Sequence, residues 1–263
     1  MGSRAQVAPA LIAFFAVVGG MFANMAFAGG TGLTKLGAWL STLAMIVLLC
    51  GCIGRAIAGR WDGVLIDSRN RISLSRMQMV GWTVVVLTAL VTAASSNIAA
   101  GSSSAALAID IPNELLAAMG IAAASLAATP ALLTLKGQDP GGRSLAAGNT
   151  RPDQAGWLDM FRGDEATDQD QPDLSKIQQF LVTLALVGVY AVALGYQFYA
   201  LRPGVLIASL PALDDKSVWL LGISHAGYLS YKAASKPTGS SATPATPPPP
   251  SSARAARSRK VKV

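Results

Sequence analysis

Six stretches of this chain are apolar, nearly free of charge and long enough, or almost long enough, to cross a lipid bilayer. They run over 7–27, 36–53, 77–94, 115–135, 177–201 and 218–231. A hydrocarbon core of about 30 Å demands roughly 20 mostly apolar residues in helical form, because lipid offers the backbone no hydrogen-bond partner. Composition points the same way. Of 263 residues, 52% belong to the set AVILMFWYC, mean hydropathy is +0.44 and 13% are charged, against about 25% charged in soluble domains. These values exclude an ordinary soluble enzyme, a disordered chain and a disulfide-rich secreted module. Two cysteines, Cys50 and Cys52, are too few for a disulfide framework or a cysteine-based zinc site. The predicted fold class is all-α, a transmembrane helical bundle.

Two of the stretches need argument. The sixth holds 14 residues, about 21 Å of helix at roughly 1.5 Å per residue. It crosses only with Lys216 snorkelling, in thinned lipid or packed among neighbours, or else it is re-entrant. The first follows Arg4 and ends at Ala26-Phe27-Ala28, the small-x-small form of a signal-peptidase site. Cleavage leaves five spans and retention leaves six; the long run and the single charge before it favour retention.

Charge fixes the expected orientation. With the N-terminus inside, lysines and arginines divide 18 inside to 3 outside, the outer three being Lys35, Arg202 and Lys216. Basic residues in short loops are retained in the cytoplasm. The sequence therefore predicts an inner-membrane, multi-pass protein with a cytoplasmic C-terminus, and a crossing sixth span. Trp39, Tyr196, Tyr199 and Trp219 fall near the expected outer ends, and Trp82, Tyr228 and Tyr231 near the inner ends, where amphipathic rings suit the headgroup level. Some of these are alternatively plain packing residues.

The chain carries an internal similarity. Leu74-Ser75-Arg76-Met77-Gln78 recurs as Leu174-Ser175-Lys176-Ile177-Gln178, with Thr83 and Thr183 in register. Ile111-Pro112 matches Leu210-Pro211, Gly120-Ile121 matches Gly222-Ile223, and Trp61 and Trp157 precede the two units. The offsets are 100 residues at the first motif, 99 at the proline and 102 at the Gly-Ile pair. This order predicts an internal parallel duplication of a two-helix unit, the copies related by an axis along the membrane normal. Ser75 with Gln78, and Ser175 with Gln178, have the Ser-x-x-Gln form of a capping box. Arg76 and Lys176 stand next to them at the inner headgroup level, in reach of lipid phosphate. Pro112 and Pro211 suit first-turn positions, and Asp110, Glu114, Asp214 and Asp215 suit the positive end of a helix dipole.

The organisation expected is a hydrophobic hairpin over 1–53, its first helix retained or cleaved, a first membrane repeat over 54–135, an acidic loop with a second repeat over 136–235, and a tail over 236–263. Within the first inner loop, 63–71 reads as an extended stretch and turn. Eight carboxylates lie from Asp139 to Asp173. They lack the central Gly and terminal Glu of a calcium loop, so a solvated acidic loop is the expectation. The tail is rich in Pro, Ser, Thr and Ala with a basic end from Arg254 to Lys262, and it cannot bury a core. It is a topogenic tail, a contact for anionic lipid or a dock for a protein partner. It has no interleaved aromatics for stacking bases, so no nucleic acid is expected.

His225 is the only histidine. An ionisable group at membrane depth is a functional candidate by default. With Ser224, Thr83 and Thr183 it forms the candidate intramembrane polar set, read first as interhelical glue. Gly120 with Ala124, and Gly222 with Ala226, are small-xxx-small pairs, so the second helices of the two repeats are expected to pack on these faces. Cys50 and Cys52 read as buried small residues or acylation sites. No nucleophile elbow, phosphate loop, dinucleotide or metalloprotease pattern is present in the sequence. No catalytic residue, metal ligand or cofactor is expected.

The Leu-Ser-basic-apolar-Gln starts, Ile66-Asp67-x-Arg69-Asn70-Arg71 and the run Gly222-Ile223-Ser224-His225-Ala226-Gly227-Tyr228-Leu229 resemble an uncharacterised family of bacterial multi-pass membrane proteins, over roughly 60–232. The resemblance implies a bacterial inner-membrane setting and no activity. The function expected is a non-enzymatic scaffold or anchor. Its partners would be membrane lipids, a cytosolic protein held by the acidic loop or basic tail, and a further copy of the chain. The alternative is a small transporter or channel at the repeat interface. A transporter should have a polar mid-membrane cavity lined by Thr83, Thr183, Ser125 or His225; a scaffold should be dry inside.

Overall fold

Six helices follow one another in the computed structural model, which describes residues 3–24, 28–137, 145, 148–166 and 168–234. They are α1 (Ser3–Asn24), α2 (Gly32–Ala58), α3 (Leu74–Ala99), α4 (Asn113–Gly137), α5 (Leu174–Ala200) and α6 (Asp215–Ala233). Helices α2 to α5 are long and apolar enough to cross a membrane. The chain is therefore a multi-pass helical membrane protein. The tail expected from 236 onward and the small-x-small site at 26–28 fall wholly or largely outside the described residues.

Four of the six apolar runs sit inside longer helices, and the runs over 7–27 and 177–201 largely overlap α1 and α5. Gly59, in the left-handed region at φ 73°, ends α2 and donates its N–H to Arg55 O at 3.1 Å. Pro112 precedes α4, and its carbonyl accepts from Leu115 N at 3.0 Å. The Asp214 carboxylate accepts from Lys216 N at 3.1 Å where α6 begins. With Asp215 and Lys216 in its first turn and Lys232 in its last, α6 holds 19 residues, about 28 Å. It packs beside α4 and α5.

The start of α3 and α5 differs from expectation. Ser75 and Ser175 lie inside the first helical turn, not at the cap. The cap positions are Ser73, which makes no side-chain bond, and Asp173, which accepts from Ser175 N and Lys176 N. Ser175 Oγ donates to the same carboxylate at 2.6 Å. The capping-box reading fails because Ser75 and Gln78 are turned inward, onto other helices.

The core is formed by α2 to α6. Trp82 packs on Tyr190 with ring centroids 6.1 Å apart, and Trp39 stacks on Phe198 at 6.4 Å. Around them lie Val86, Ala89, Leu115, Ala118, Ala122, Leu194 and Leu221, all buried. Trp39 and Trp82 are thus core residues and not headgroup anchors, and Tyr228 is buried as well. Tyr196, Tyr199, Trp219 and Tyr231 are exposed, as a belt requires. Helix α1 packs along α2, where Met45 lies against Gly20, and leaves Leu11, Ile12 and Phe15 exposed.

Helices α4 and α6 do pack together, but on other faces than the small-residue pairs suggest. Ala118, Ala122 and Ser125 of α4, and Leu221, Ser224, His225 and Tyr228 of α6, are the buried residues. Gly120, Ala124 and Ala226 are exposed. A Cβ at Gly120 would meet nothing within 4 Å, and one at Gly222 only Ile121 Cδ1 at 3.7 Å. The tight glycines lie elsewhere. A Cβ on Gly63 would stand 2.5 Å from Gly54 O, and one on Gly54 2.8 Å from Gly63 N, so the end of α2 touches the following loop backbone to backbone.

These contacts predict opposite outcomes for two substitutions. Gly63→Ala should cost about 1–3 kcal/mol through overpacking, read as a lower thermal midpoint of the purified protein in detergent. Gly120→Leu should leave that midpoint and the migration of the monomer unchanged.

Candidate functional site

The two loops that join α2 to α3 and α4 to α5 emerge at the same end of the bundle and fold onto each other. In the first, a 3-10 turn at Gly63–Leu65 leads to an antiparallel bridge between Ile66 and Ile72. Asp67 Oδ1 organises the turn between them, accepting from Arg69 N at 2.9 Å and Arg71 N at 3.1 Å. Asn70 takes the left-handed conformation, φ 55°, which asparagine tolerates. The expected extended stretch and turn is therefore a bridged turn entered from a 3-10 helix. In the second loop, a 3-10 helix at Trp157–Phe161 leads to an antiparallel bridge between Arg162 and Pro172.

The loops interlock through backbone and side chain. Asn70 Nδ2 donates to Asn149 O and Asn149 Nδ2 donates to Asn70 O, each at 2.8 Å. The Arg60 guanidinium grips Asp62 at 2.7 and 2.8 Å and donates to Ala155 O at 2.8 Å and Asp153 O at 3.1 Å. Arg71, buried, reaches Gly163 O and Asp159 O, each at 3.4 Å.

Asp164 is the centre of this cap. Its Oδ1 pairs with Arg69 Nη2 at 2.7 Å; its Oδ2 pairs with Lys232 Nζ at 2.8 Å and Lys176 Nζ at 3.0 Å. One carboxylate thus joins the first loop, the second loop, the start of α5 and the end of α6. Burial pushes the Asp164 carboxyl up, but Lys176, Lys232 and Arg69 together outweigh it and hold the group well below the usual carboxylate range. Lys232 Nζ also donates to Tyr228 OH at 2.9 Å. The hydroxyls of Tyr228, Thr129 and Ser75 continue the file into the bundle, with steps of 3.5 and 3.1 Å.

Further described carboxylates of the second loop are also engaged within the chain. Glu165 pairs with Lys136 at 2.8 Å, Asp159 accepts from Gly156 N at 2.8 Å, Asp168 accepts from Glu165 N at 3.0 Å, and Asp173 caps α5. Arg151 pairs with Asp153 at the surface. Among the described residues the segment folds into a cap in which Asp153, Asp164 and Glu165 pair with this chain's own cations, which departs from the fully solvated acidic loop expected, while Asp170 is exposed. Among the described residues no three His, Cys, Asp or Glu side chains come together to hold a metal ion.

The polar residues singled out from sequence separate into two places. Gln78 Nε2 donates to Thr183 Oγ1 at 2.8 Å, and Gln179 Nε2 donates to Gln78 Oε1 at 3.0 Å. All three are buried and join α3 to α5. Gln179 and not Gln178 is the partner, since Gln178 is exposed. Thr83 is half-buried, apart from this set. On α6, His225 Nδ1 lies 2.9 Å from Leu221 O, while His225 Nε2 and Ser224 Oγ, and Ser125 Oγ on α4, are buried without a hydrogen bond. Cys52 is buried and Cys50 half-buried, both as free thiols. The helix-start serine and glutamine, Ser75 and Gln78, act in packing: Ser75 Oγ lies 3.1 Å from Thr129 Oγ1.

From sequence, Asp164 belongs only to the acidic cluster weighed for calcium and Arg69 only to the motif of resemblance; their pairing with each other and with Lys232 escaped the reading. The available signal was complementarity. A basic loop from Arg55 to Arg76 and an acidic one from Asp139 to Asp173 are placed on one side by the topology, so they should neutralise each other.

No family model, no curated protein and no solved structure matches this chain. The resemblance to a bacterial membrane family therefore gains no support from these comparisons, and what stands is the helical membrane bundle itself.

Removing the central carboxylate should be severe. Asp164→Asn leaves three cations facing one another and should cost about 3–5 kcal/mol, the usual penalty for breaking a buried ion pair from one side, measured by thermal unfolding in detergent. The pH dependence has a definite sign. The folded carboxyl lies below its unfolded value of about 3.9, so its stabilisation is complete at neutral pH. It should drain away as pH falls below about 4, and the wild-type midpoint should fall there more steeply than that of Asp164→Asn.

Proposed function

We propose that this protein is a non-enzymatic membrane scaffold that presents its interlocked cap, and the segment beyond it, to partners. The observation that carries the reading is the combination of an interlocked cap with an apolar core between the bundle ends. Among the described residues, the main cavities lie at the bundle ends or on its side, and none of these is lined by Thr83, Thr183, Ser125 or His225. Between the ends lie Trp82, Tyr190, Val86, Ala89 and Leu221, buried and in one apolar cluster. The cap rim carries the exposed side chains Trp61, Trp157 and Leu158, aromatic anchors of the kind interfaces favour.

The reading includes an orientation and an ancestry. The 18 to 3 distribution of basic residues supports a cytoplasmic cap and C-terminus, and the bacterial inner membrane is the setting that the resemblance implies. A duplicated two-helix unit is supported by the parallel bridge between Asp110 and Ser209, which joins positions 99 residues apart, the offset of the prolines. It is also supported by the shared order of tryptophan, 3-10 turn, bridge, cap and helix in both loops. With the acidic residues largely used inside the cap, partner contact falls to the exposed rim and the basic tail.

A transport reading draws on one observation, the buried and unbonded Ser125, Ser224 and His225 atoms on α4 and α6. Cysteine accessibility separates the two. In a background with Cys50 and Cys52 replaced by alanine, Thr83→Cys and Thr183→Cys should resist a water-soluble maleimide from both sides of the membrane. Ser68→Cys and Thr150→Cys should react from the same side and Ser103→Cys from the other. Reaction at Thr183→Cys would favour a water-filled path. A photo-crosslinking residue at Leu158 in native membranes should give a discrete protein adduct; adducts with lipid alone contradict the scaffold.

A further inference from the structure

Beside the cap, a cavity of about 690 Å3 opens between the start of α3, the end of α4 and the first loop. Its bundle-end wall holds Arg69 and Arg76, and its deeper wall Met79, Val80 and Leu126. Pro130 and Thr134 of α4 line it and are exposed, so it opens sideways on α4 and not into the bundle interior. The two guanidinium groups have unused capacity. Arg69 spends Nη2 on Asp164, while its Nε and Nη1 are buried without a hydrogen bond, and Asp67 Oδ2 stands 3.6 Å from Nε. Arg76 reaches only Val64 O, at 3.5 Å. Among the described residues Asp67 is the sole carboxylate in the lining, and its Oδ1 already serves the backbone of Arg69 and Arg71. Two cations and one anion give the described lining residues a net charge of +1.

We propose that this cavity binds one anionic phospholipid, with the phosphodiester between Arg69 and Arg76 and an acyl chain along Met79, Val80 and Leu126. Charge decides the class, since a phosphodiester monoanion neutralises the lining and arginine forks match phosphate oxygens. Order decides the source, since the cationic groups lie at the bundle end and the apolar ones deeper, as a phospholipid presents its phosphate and chain. The volume lies within the roughly 300–1,000 Å3 of ligand sites. The proposal rests on the membrane bundle alone and is independent of the scaffold reading.

Native mass spectrometry of the full chain in detergent tests it, with dioleoyl phosphatidylglycerol, dioleoyl phosphatidylcholine and inorganic phosphate as probes. The wild type should hold one phosphatidylglycerol at least tenfold more tightly than phosphatidylcholine. Arg76→Gln, and Leu126→Trp which fills the deep half, should each weaken it at least tenfold. Arg55→Gln, which removes the same charge outside the cavity, should change it less than twofold. Equal binding of phosphatidylcholine, or an equal loss in Arg55→Gln, overturns the site. Displacement of the lipid by inorganic phosphate alone at millimolar concentration overturns the lipid as its occupant. Should the cavity variants fail to fold, a diazirine-labelled phosphatidylglycerol on the wild type decides. Adducts concentrated on the peptide spanning 126–134 support the site, and adducts spread evenly over the helices overturn it.

Discussion

A single buried carboxylate holds together the end of the bundle on which everything distinctive about this protein depends. Asp164 faces Arg69, Lys176 and Lys232 within 3.0 Å. Removing such charges from water is expensive, and a buried ion pair often adds little net stability over an apolar replacement. What Asp164 supplies is register. Three cations from three different segments share one small anion, so loop, α5 and α6 have one mutual arrangement that satisfies them all. Without it, the loops would retain the Asn70–Asn149 exchange and the Arg60 fork, which fix the loops to each other but not to α6.

The bundle below the cap follows a different logic. Lipid gives no hydrophobic drive between helices, so packing and interhelical hydrogen bonds must hold them. The Gln78–Gln179–Thr183 set does this between α3 and α5, and the Ser75–Thr129–Tyr228 file between α3, α4 and α6. Polar groups thus lie at helix contacts, while aromatic rings and small residues fill the remainder. This arrangement suits a fixed platform better than an alternating gate, because each element meets its neighbours in both the cap and the core.

Much of the fold was legible because a bilayer imposes one strong rule. A run of about 20 apolar residues becomes a helix, and each run found in the sequence lies within or largely overlaps a helix. The ends were less legible, since Asp215, Lys216 and Lys232 belong to α6 yet lower its hydropathy. The faces were least legible. In α4 small residues occur on every side, so Gly120 and Ala124 look as suited to packing as Ala118 and Ala122, which are the ones buried. Ser75 and Gln78 carry the pattern of a cap, but the pattern does not reveal that the amide of Gln78 is used by another helix a hundred residues away. Trp39 and Trp82 likewise sit in sequence where a belt would be and in space where the core is. Charge density alone does not reveal which carboxylates of the acidic segment are buried, because it leaves out the opposite charge that the topology delivers to Asp164 and Glu165.

The shared cap requires both loops to meet at one end of the bundle. Cysteines placed at Asn70 and Asn149, in a chain otherwise free of cysteine, test this directly in native membranes. Mild oxidation should join them within one chain, giving a faster-migrating band that reductant abolishes, while a cysteine pair at Asn70 and Ser103 should stay unlinked. Failure of the first pair to join, or joining of the second, would contradict the shared cap.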